Sequence, residues 1–202
     1  QLASELPRSQ EARELSERVL VTMVHALGDL SDSVTVLGGL IPALLTGGQT
    51  PSAPTHLGTT DVDVMLGVHL ATAPAGYASV EDRIRRIGFE PATAAGWHWL
   101  APVDGHKLKV EFLCDLVDQP EGEVYRPPDC AVFGAINLRG TGYVARDVVV
   151  RRLDAALTDR PGTAAVDVRT AGLAGYLASK AFAILGRGFA KDYYDFAYVL
   201  LY

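Results

Sequence analysis

The spacing of apolar and polar positions predicts alternating helices and strands in the first part of the chain. From residue 7 to residue 30, apolar positions such as Leu15 and Val19 recur every three or four residues, which predicts a helix. Residues 34–39, VTVLGG, form a β-rich run that ends in two glycines. The following LIPALL predicts a short helix with Pro42 in its first turn. This segment therefore predicts a helix, a strand and a glycine turn that leads into a second helix.

Further strands are predicted between residues 61 and 155. DVDVML (61–66) alternates as a strand does, and WHWLA (97–101) with KLKVEFL (107–113) predicts a hairpin around PVDGH. A helix is predicted over residues 79–87, with Ser79 as its N-cap and Gly88 closing its end. Residues 126–155 predict short strands and turns.

The C-terminal part has a different pattern. Residues 170–202 are rich in Ala and Leu and predict two helices that are separated near residues 186–188. We therefore expect an α+β protein, with an α/β core over residues 1–165 and a helical part over residues 166–202. The chain begins without Met and stops inside a predicted helix, so we expect it to be part of a longer protein.

Composition narrows the classes of function. The formal net charge of −6 over 202 residues argues against a uniformly basic nucleic-acid surface, although an enzyme can still touch RNA locally. The two cysteines, Cys114 and Cys130, form no C-x-x-C pair, which favours a reduced, cytoplasmic setting. No run of about 18 apolar residues is present, so no membrane span is predicted.

Three acidic residues are candidates for a metal site. Asp61 and Asp63 project to the same face of a predicted strand, about 7 Å apart, where they repel each other unless a cation lies between them. Glu111 lies in the alternating run LKVEFL, and a neighbouring strand would set it beside both aspartates. Asp115 is the alternative third acid. A bare D-x-D also occurs on ordinary half-exposed edge strands, so the motif depends on its context.

Glycines and cations supply that context. Gly38 and Gly39 precede a helix, and such a turn offers unpaired backbone N–H groups to phosphate oxygens. Lys180 and Arg187 are seven residues apart and share one face of a predicted helix. Lys180 lies among apolar residues and therefore needs an anion or a route to water. Surface helices with weak salt bridges are the alternative interpretation of these charges.

In this order, the motifs resemble a known group of enzymes. A glycine pair after a strand, D-x-D and an acid on a later strand are similar to the nucleotidyltransferase fold of the DNA polymerase β superfamily. That fold is a mixed β-sheet with flanking helices. LASKAFAILGRGFAKDYYDFAYVL is similar to the K…R…KD-x-x-D signature of the AbiEii/AbiGii-type nucleotidyltransferase toxins, which include the MenT toxins.

The resemblance implies a role for each matching residue. Asp61, Asp63 and Glu111 would hold Mg²⁺, as two ions, and would act in catalysis together with Lys180 and Asp195. The residues that would bind the nucleotide are Gly38, Gly39, Thr60, Lys180, Arg187, Lys191 and Asp192. Two features depart from the family pattern: the third acid is Glu rather than the common Asp, and the loop at residues 47–58 resembles an insertion.

The implied activity is transfer of a nucleoside monophosphate from a nucleoside triphosphate, such as ATP, to an acceptor hydroxyl. The family implies the 3′ end of tRNA as acceptor, and a toxin of a type IV-like toxin–antitoxin pair with a cognate antitoxin as partner. The acidic net charge fits RNA poorly, so a protein hydroxyl or a small molecule stays open as acceptor. The rival hypothesis is a non-catalytic module that binds a nucleotide or a partner.

Overall fold

The computed structural model describes residues 7–47, 54–59, 61–66 and 76–202. Within them, a nine-stranded mixed sheet is flanked by helices, which confirms the predicted α+β class. The helices are α1 (Gln10–Leu27), α2 (Ile41–Thr46), α3 (Gly76–Arg86), α4 (Leu173–Arg187) and α5 (Ala190–Leu201). The strands are β1 (Val34–Leu37), β2 (Asp61–Leu66), β3 (Glu90–Pro91), β4 (His98–Val103), β5 (His106–Cys114), β6 (Val124–Tyr125), β7 (Ala135–Asn137), β8 (Val148–Ala156) and β9 (Thr163–Ala171).

The sheet places β2 in its centre. The strand order is β3-β4-β5-β2-β1-β9-β8, and β7 pairs with both β5 and β6. β2 runs parallel to β5 and antiparallel to β1, while β1 runs parallel to β9. The strand that carries the D-x-D motif therefore lies between the strand that ends in the glycine turn and the strand that carries Glu111.

Helix α1 covers most of its predicted range. Ser9 is its N-cap and accepts a hydrogen bond from the N–H of Ala12 at 3.1 Å. The helix ends before Gly28, whose φ of 52° breaks the helical path, and a 3₁₀ turn continues to Ser33. The predicted apolar positions of α1, Leu15 and Val19 among them, are buried, and the helix contacts β8, β9 and α3.

The predicted hairpin is confirmed as β4 and β5. Val103 pairs with His106 across a two-residue turn. In that turn Asp104 and Gly105 have φ angles of 45° and 79°, as a type I′ turn requires. Val110 and Phe112 are fully buried on one face of β5, so Glu111 projects from the opposite face.

The predicted start of α3 is wrong. Ser79 was expected to be the N-cap, but the helix already includes Gly76. Tyr77 and Val80 are both buried, so the packed face of the helix extends beyond the predicted first residue. The predicted end is close, because α3 stops at Arg86 and Gly88 follows with a φ of 83°.

The two C-terminal helices are confirmed. Gly188 ends α4 with a φ of 61° and donates its N–H to the carbonyl of Ala183. The strand β9 extends past residue 165 to Ala171, so the helices begin at Leu173. Tyr176 of α4 and Tyr198 of α5 belong to the same apolar cluster as the sheet. No helix among the described residues has both the length and the apolar character needed to span a bilayer.

Candidate functional site

The two parallel strands β2 and β5 bring the predicted carboxylates together. Asp63 pairs with Glu111 in the register of the strands, and Asp61 pairs with Lys109. Val62, which lies between the two aspartates in the sequence, is fully buried. Both aspartates therefore project to the face of the sheet opposite the core. Asp61, Asp63 and Glu111 therefore share one face of the sheet, as the alternation of the two strands predicts.

Asp115 has a different position. Its Oδ2 accepts hydrogen bonds from the backbone N–H groups of Gly140 and Gly142, each at 3.0 Å, and Arg139 lies 3.4 Å from its Oδ1. These contacts hold the turn that follows β7. Of the two candidate third acids, Glu111 is the one beside Asp63.

The glycine pair makes room for neighbouring side chains. Gly38 has a φ of 81°, and a Cβ atom there would lie only 1.7 Å from Oδ2 of Asp63. A Cβ atom on Gly39 would lie 2.7 Å from the side chain of Thr59. Any side chain at residue 38 would therefore displace the Asp63 carboxylate, which gives this glycine a structural role in the site.

Protein cations engage two of the three carboxylates. Lys109 Nζ lies 2.6 Å from Glu111 Oε1 and 3.6 Å from Asp61 Oδ1, and Lys191 Nζ lies 3.8 Å from Asp61 Oδ2. His98 Nε2 is 3.0 Å from Glu111 Oε1. Burial raises the pKa of Glu111, but the contacts with His98 and Lys109 outweigh that effect and lower it to about 2.

Asp63 has a different electrostatic environment. Burial, then the charges of Glu111 and Asp61, raise its pKa well above the ordinary value, and a hydrogen bond with Glu111 acts in the same direction. Among the described residues, no basic side chain forms an ion pair with Asp63. Asp63 therefore holds its proton more readily than an ordinary aspartate, because the charge of Lys180 lowers its pKa only in part.

A buried ionic network lies beside the carboxylates. Lys180 Nζ donates to Asp192 Oδ1 and to Asp195 Oδ2, both at 2.9 Å, and Arg187 Nε donates to Asp192 Oδ2 at 2.8 Å. Both aspartates are fully buried, and Lys180 is 6% exposed. The anions that Lys180 needs are thus supplied by the KD-x-x-D segment of α5.

Arg8 and His56 complete this network from distant parts of the chain. The Arg8 guanidinium donates two hydrogen bonds to Asp195, at 3.0 and 3.2 Å, and His56 Nε2 lies 3.1 Å from Asp195 Oδ1. His56 is held between Tyr194 and Tyr198, with ring centroids 5.2 and 4.8 Å away. Burial raises the pKa of Asp195, but these partners and Lys180 together hold it well below its usual range.

Two neighbouring pockets adjoin the charged groups. The smaller, of about 20 Å³, is lined by charged groups together with Gly39 and Thr59. The larger, of about 380 Å³, extends from the carboxylates past Gly38 along α4. The side chains that line both pockets are those of Asp63, Glu111, Lys180 and Arg187.

Most of the predicted site residues therefore converge. Asp61, Lys191 and Asp195 line the smaller pocket, whereas Asp192 lies behind Lys180 as its partner. Thr60 falls outside the described residues, as does the part of the 47–58 loop at residues 48–53. In the described part of the chain, no group of three or more His, Cys, Asp or Glu side chains is arranged so that it could hold a metal ion.

Four residues that contact the acidic side chains of the site carried no predicted role: Arg8, His56, His98 and Lys109. The sequence pattern could have indicated two of them. Lys109 lies two residues before Glu111 on the same face of β5, and the predicted hairpin places His98 opposite Glu111. The contacts of Arg8 and His56 with Asp195 span 187 and 139 residues, and no local pattern marks them.

Among known proteins, the chain is similar to solved structures but to no protein family and no curated sequence. No family model matches the chain, and no curated protein matches it significantly. The crystal structure of ANT(2″)-Ia in complex with adenylyl-2″-tobramycin is similar over 90% of this chain and 88% of that one, with 14% identity and a TM-score of 0.40. The solution structure of the antibiotic-resistance factor ANT(2″)-Ia is similar over 88% of this chain and 89% of that one, with 12% identity and a TM-score of 0.31.

Proposed function

We propose that this chain is a Mg²⁺-dependent nucleotidyltransferase that moves a nucleoside monophosphate from a nucleoside triphosphate to an acceptor hydroxyl. The observation that carries the proposal is the parallel pairing of β2 and β5. It sets Asp63 beside Glu111, next to Gly38 and within the same pair of pockets as Lys180 and Arg187. Clustered carboxylates next to cations are the groups that phosphoryl and nucleotidyl displacement uses.

The chemistry of the donor set fits a hard cation, although the described side chains are not arranged as a ready metal-holding group. Asp61 and Asp63 offer carboxylate oxygens, which Mg²⁺ prefers, and Asp63 has no ion pair with a described basic residue. We assign Mg²⁺ to these two aspartates with Glu111, in the two-ion arrangement that the sequence resemblance implies. When bound, the ions would neutralise phosphate charge and lower the pKa of an acceptor hydroxyl.

The chain's own cations would hold the triphosphate. Lys180 and Arg187 line both pockets, and Lys191 reaches the smaller one. Asp192 and Asp195 fix the ammonium of Lys180 by hydrogen bonds, so this cation is pre-positioned before a ligand binds. A pre-positioned cation would stabilise negative charge on the phosphates without reorganising during the reaction.

We take the 3′ end of tRNA as the acceptor, with the chain acting as the toxin of a toxin–antitoxin pair. This part of the proposal rests on the similarity of the KD-x-x-D segment to the AbiEii/AbiGii-type toxins. The test is incubation with Mg²⁺, each α-labelled nucleoside triphosphate and total RNA. Label on tRNA supports the assignment, whereas label on the protein itself or on an added small molecule moves the acceptor to that class.

Substitutions separate catalysis from folding. Asp61→Ala and Asp63→Ala should abolish transfer while circular dichroism stays that of the wild type, because removing one of several crowded like charges does not strain the strand. Asp82→Ala is the matched control, since Asp82 is an exposed acid on α3. Unfolding of both site variants would show that these aspartates are structural. Absence of transfer with every acceptor would favour the non-catalytic binding module.

A further inference from the structure

The larger pocket has an apolar half that the proposed chemistry does not use. Asp63, Glu111, Lys180 and Arg187 lie at the end shared with the smaller pocket. The apolar side chains of the remaining wall are Leu37, Leu113, Leu138, Phe182 and Ala183. Its volume of about 380 Å³ falls within the range of small-molecule sites. The smaller polar pocket, of about 20 Å³, has room for an ion or a water molecule only.

Phe182 forms a supported aromatic surface at this wall. Its ring lies against Gly140, where a Cβ atom would come within 2.4 Å of the ring, and it stacks on Tyr143 with centroids 6.0 Å apart. The side chain nevertheless stays 43% exposed. A planar side chain that is packed from behind and open in front is suited to stacking with a planar ligand.

Three of the four polar side chains that line the apolar half are already bonded within the protein, and the fourth is the exposed acid Glu121. Thr141 donates its hydroxyl to the carbonyl of Leu138, and Ser179 donates to that of Tyr176. Arg139 donates to the carbonyls of Leu116 and Gln119. The wall therefore offers apolar contact and stacking, and the three bonded side chains have little capacity to read the hydrogen-bonding edge of a ligand.

We propose that this apolar half binds the base of the nucleoside triphosphate, against Phe182 and Ala183, and that it recognises the flat face of the base. The inference rests on the proposed function, because the shared end of the pocket must hold the phosphates. The phosphates and the base are joined in one molecule, and the larger pocket joins a charged end to an apolar end in the same way. Recognition by stacking tolerates different bases, so all four nucleoside triphosphates should bind.

The test compares two ligands by calorimetry in Mg²⁺. One is the α,β-methylene analogue of ATP, and the other is inorganic tripolyphosphate, which lacks the base. The wild type should bind the analogue at least tenfold more tightly than tripolyphosphate. Phe182→Ala should weaken binding of the analogue about tenfold and leave tripolyphosphate binding unchanged.

Filling the pocket gives a second variant. Ala183→Phe places a ring in the apolar half and should remove the advantage of the analogue over tripolyphosphate. Gly186→Leu serves if that variant does not fold, because a Cβ atom at Gly186 meets no heavy atom within 4 Å. Leu185→Phe, at a residue of the same helix that is 86% exposed, is the control and should bind both ligands as the wild type does.

The outcomes separate the two proposals. If the wild type binds tripolyphosphate and the analogue equally well, the base site is wrong while the phosphate site stands. The base site is also wrong if Ala183→Phe keeps full affinity for the analogue, and loss of transfer in that variant would then assign the pocket to the acceptor. If the wild type binds neither ligand, the proposed function fails and the base site fails with it.

Discussion

Substitution of Gly38 by alanine tests the geometry of the site most sharply. The added methyl group would lie 1.7 Å from Asp63 Oδ2, so either the carboxylate or the turn must move. Gly38 also has a φ of 81°, a backbone conformation that costs alanine about 1–2 kcal/mol. Two separate penalties, backbone strain and overlap with Asp63, therefore act at this residue.

Gly105 allows the two penalties to be separated. Its φ is 79°, and a Cβ atom there meets no heavy atom within 4 Å. Gly105→Ala should therefore lower the free energy of unfolding by about 1–2 kcal/mol, from backbone strain alone. Gly38→Ala carries the same strain plus about 1–3 kcal/mol for crowding a packed site, which gives roughly 2–5 kcal/mol in total.

Urea denaturation followed by circular dichroism measures both variants. We expect Gly38→Ala to be the less stable variant by about 1–3 kcal/mol and to lose nucleotidyl transfer, whereas Gly105→Ala keeps transfer at the wild-type rate. Equal stability of the two variants would show that residue 38 does not face Asp63. Full transfer by Gly38→Ala would show that the position of Asp63 does not matter for the reaction.

Two further predictions concern buried charges. Glu81→Ala leaves two backbone N–H groups without their acceptor and should cost about 2–4 kcal/mol in urea denaturation, whereas exposed Asp82→Ala should change stability by less than about 0.5 kcal/mol. Burial raises the pKa of Glu81, but hydrogen bonds from the backbone and from Arg85 lower it overall. The stability that Glu81 gives the fold should therefore be complete above the ordinary pKa of a glutamate and should shrink as pH falls below about 4. A difference in stability between wild type and Glu81→Ala that does not change with pH would contradict this. Lys180→Met leaves Asp192 and Asp195 with fewer cations and should cost about 3 kcal/mol, with weaker binding of nucleoside triphosphate in calorimetry. Unchanged nucleotide affinity in the folded variant would rule out a phosphate role for Lys180.

The face on which each carboxylate of the cluster lies follows from local patterns in the sequence, whereas the parallel pairing of β2 with β5 is a long-range contact. Alternation in β2 and β5 places Asp61, Asp63 and Glu111 on the face of each strand that points away from the core. The neighbouring residues Val62, Val110 and Phe112 are fully buried, which confirms that side chains alternate between the two faces. The hairpin turn at Asp104 and Gly105 also fixes the register of β4 on β5. Periodicity and turn chemistry are short-range properties, so a single sequence contains them.

The environment of Lys180 depends on long-range packing. The sequence indicated that this lysine needs an anion, but the aspartates that hold it come from the next helix, and Arg8 and His56 hold Asp195 from the other end of the fold. The start of α3 was misplaced for a similar reason, since burial of Tyr77 depends on its tertiary neighbours. Contacts of this kind have no periodic signature along the chain.

The fate of each phosphate of the nucleotide distinguishes nucleotidyl transfer from every other use of the triphosphate. Wild type and Asp63→Asn are incubated with Mg²⁺, RNA and nucleoside triphosphate labelled at either the α- or the γ-phosphate. We expect the wild type to attach only the α-label to an acceptor and to release the γ-label as pyrophosphate, while Asp63→Asn attaches neither. Attachment of the γ-label, or α-label transfer that persists in Asp63→Asn, would contradict it.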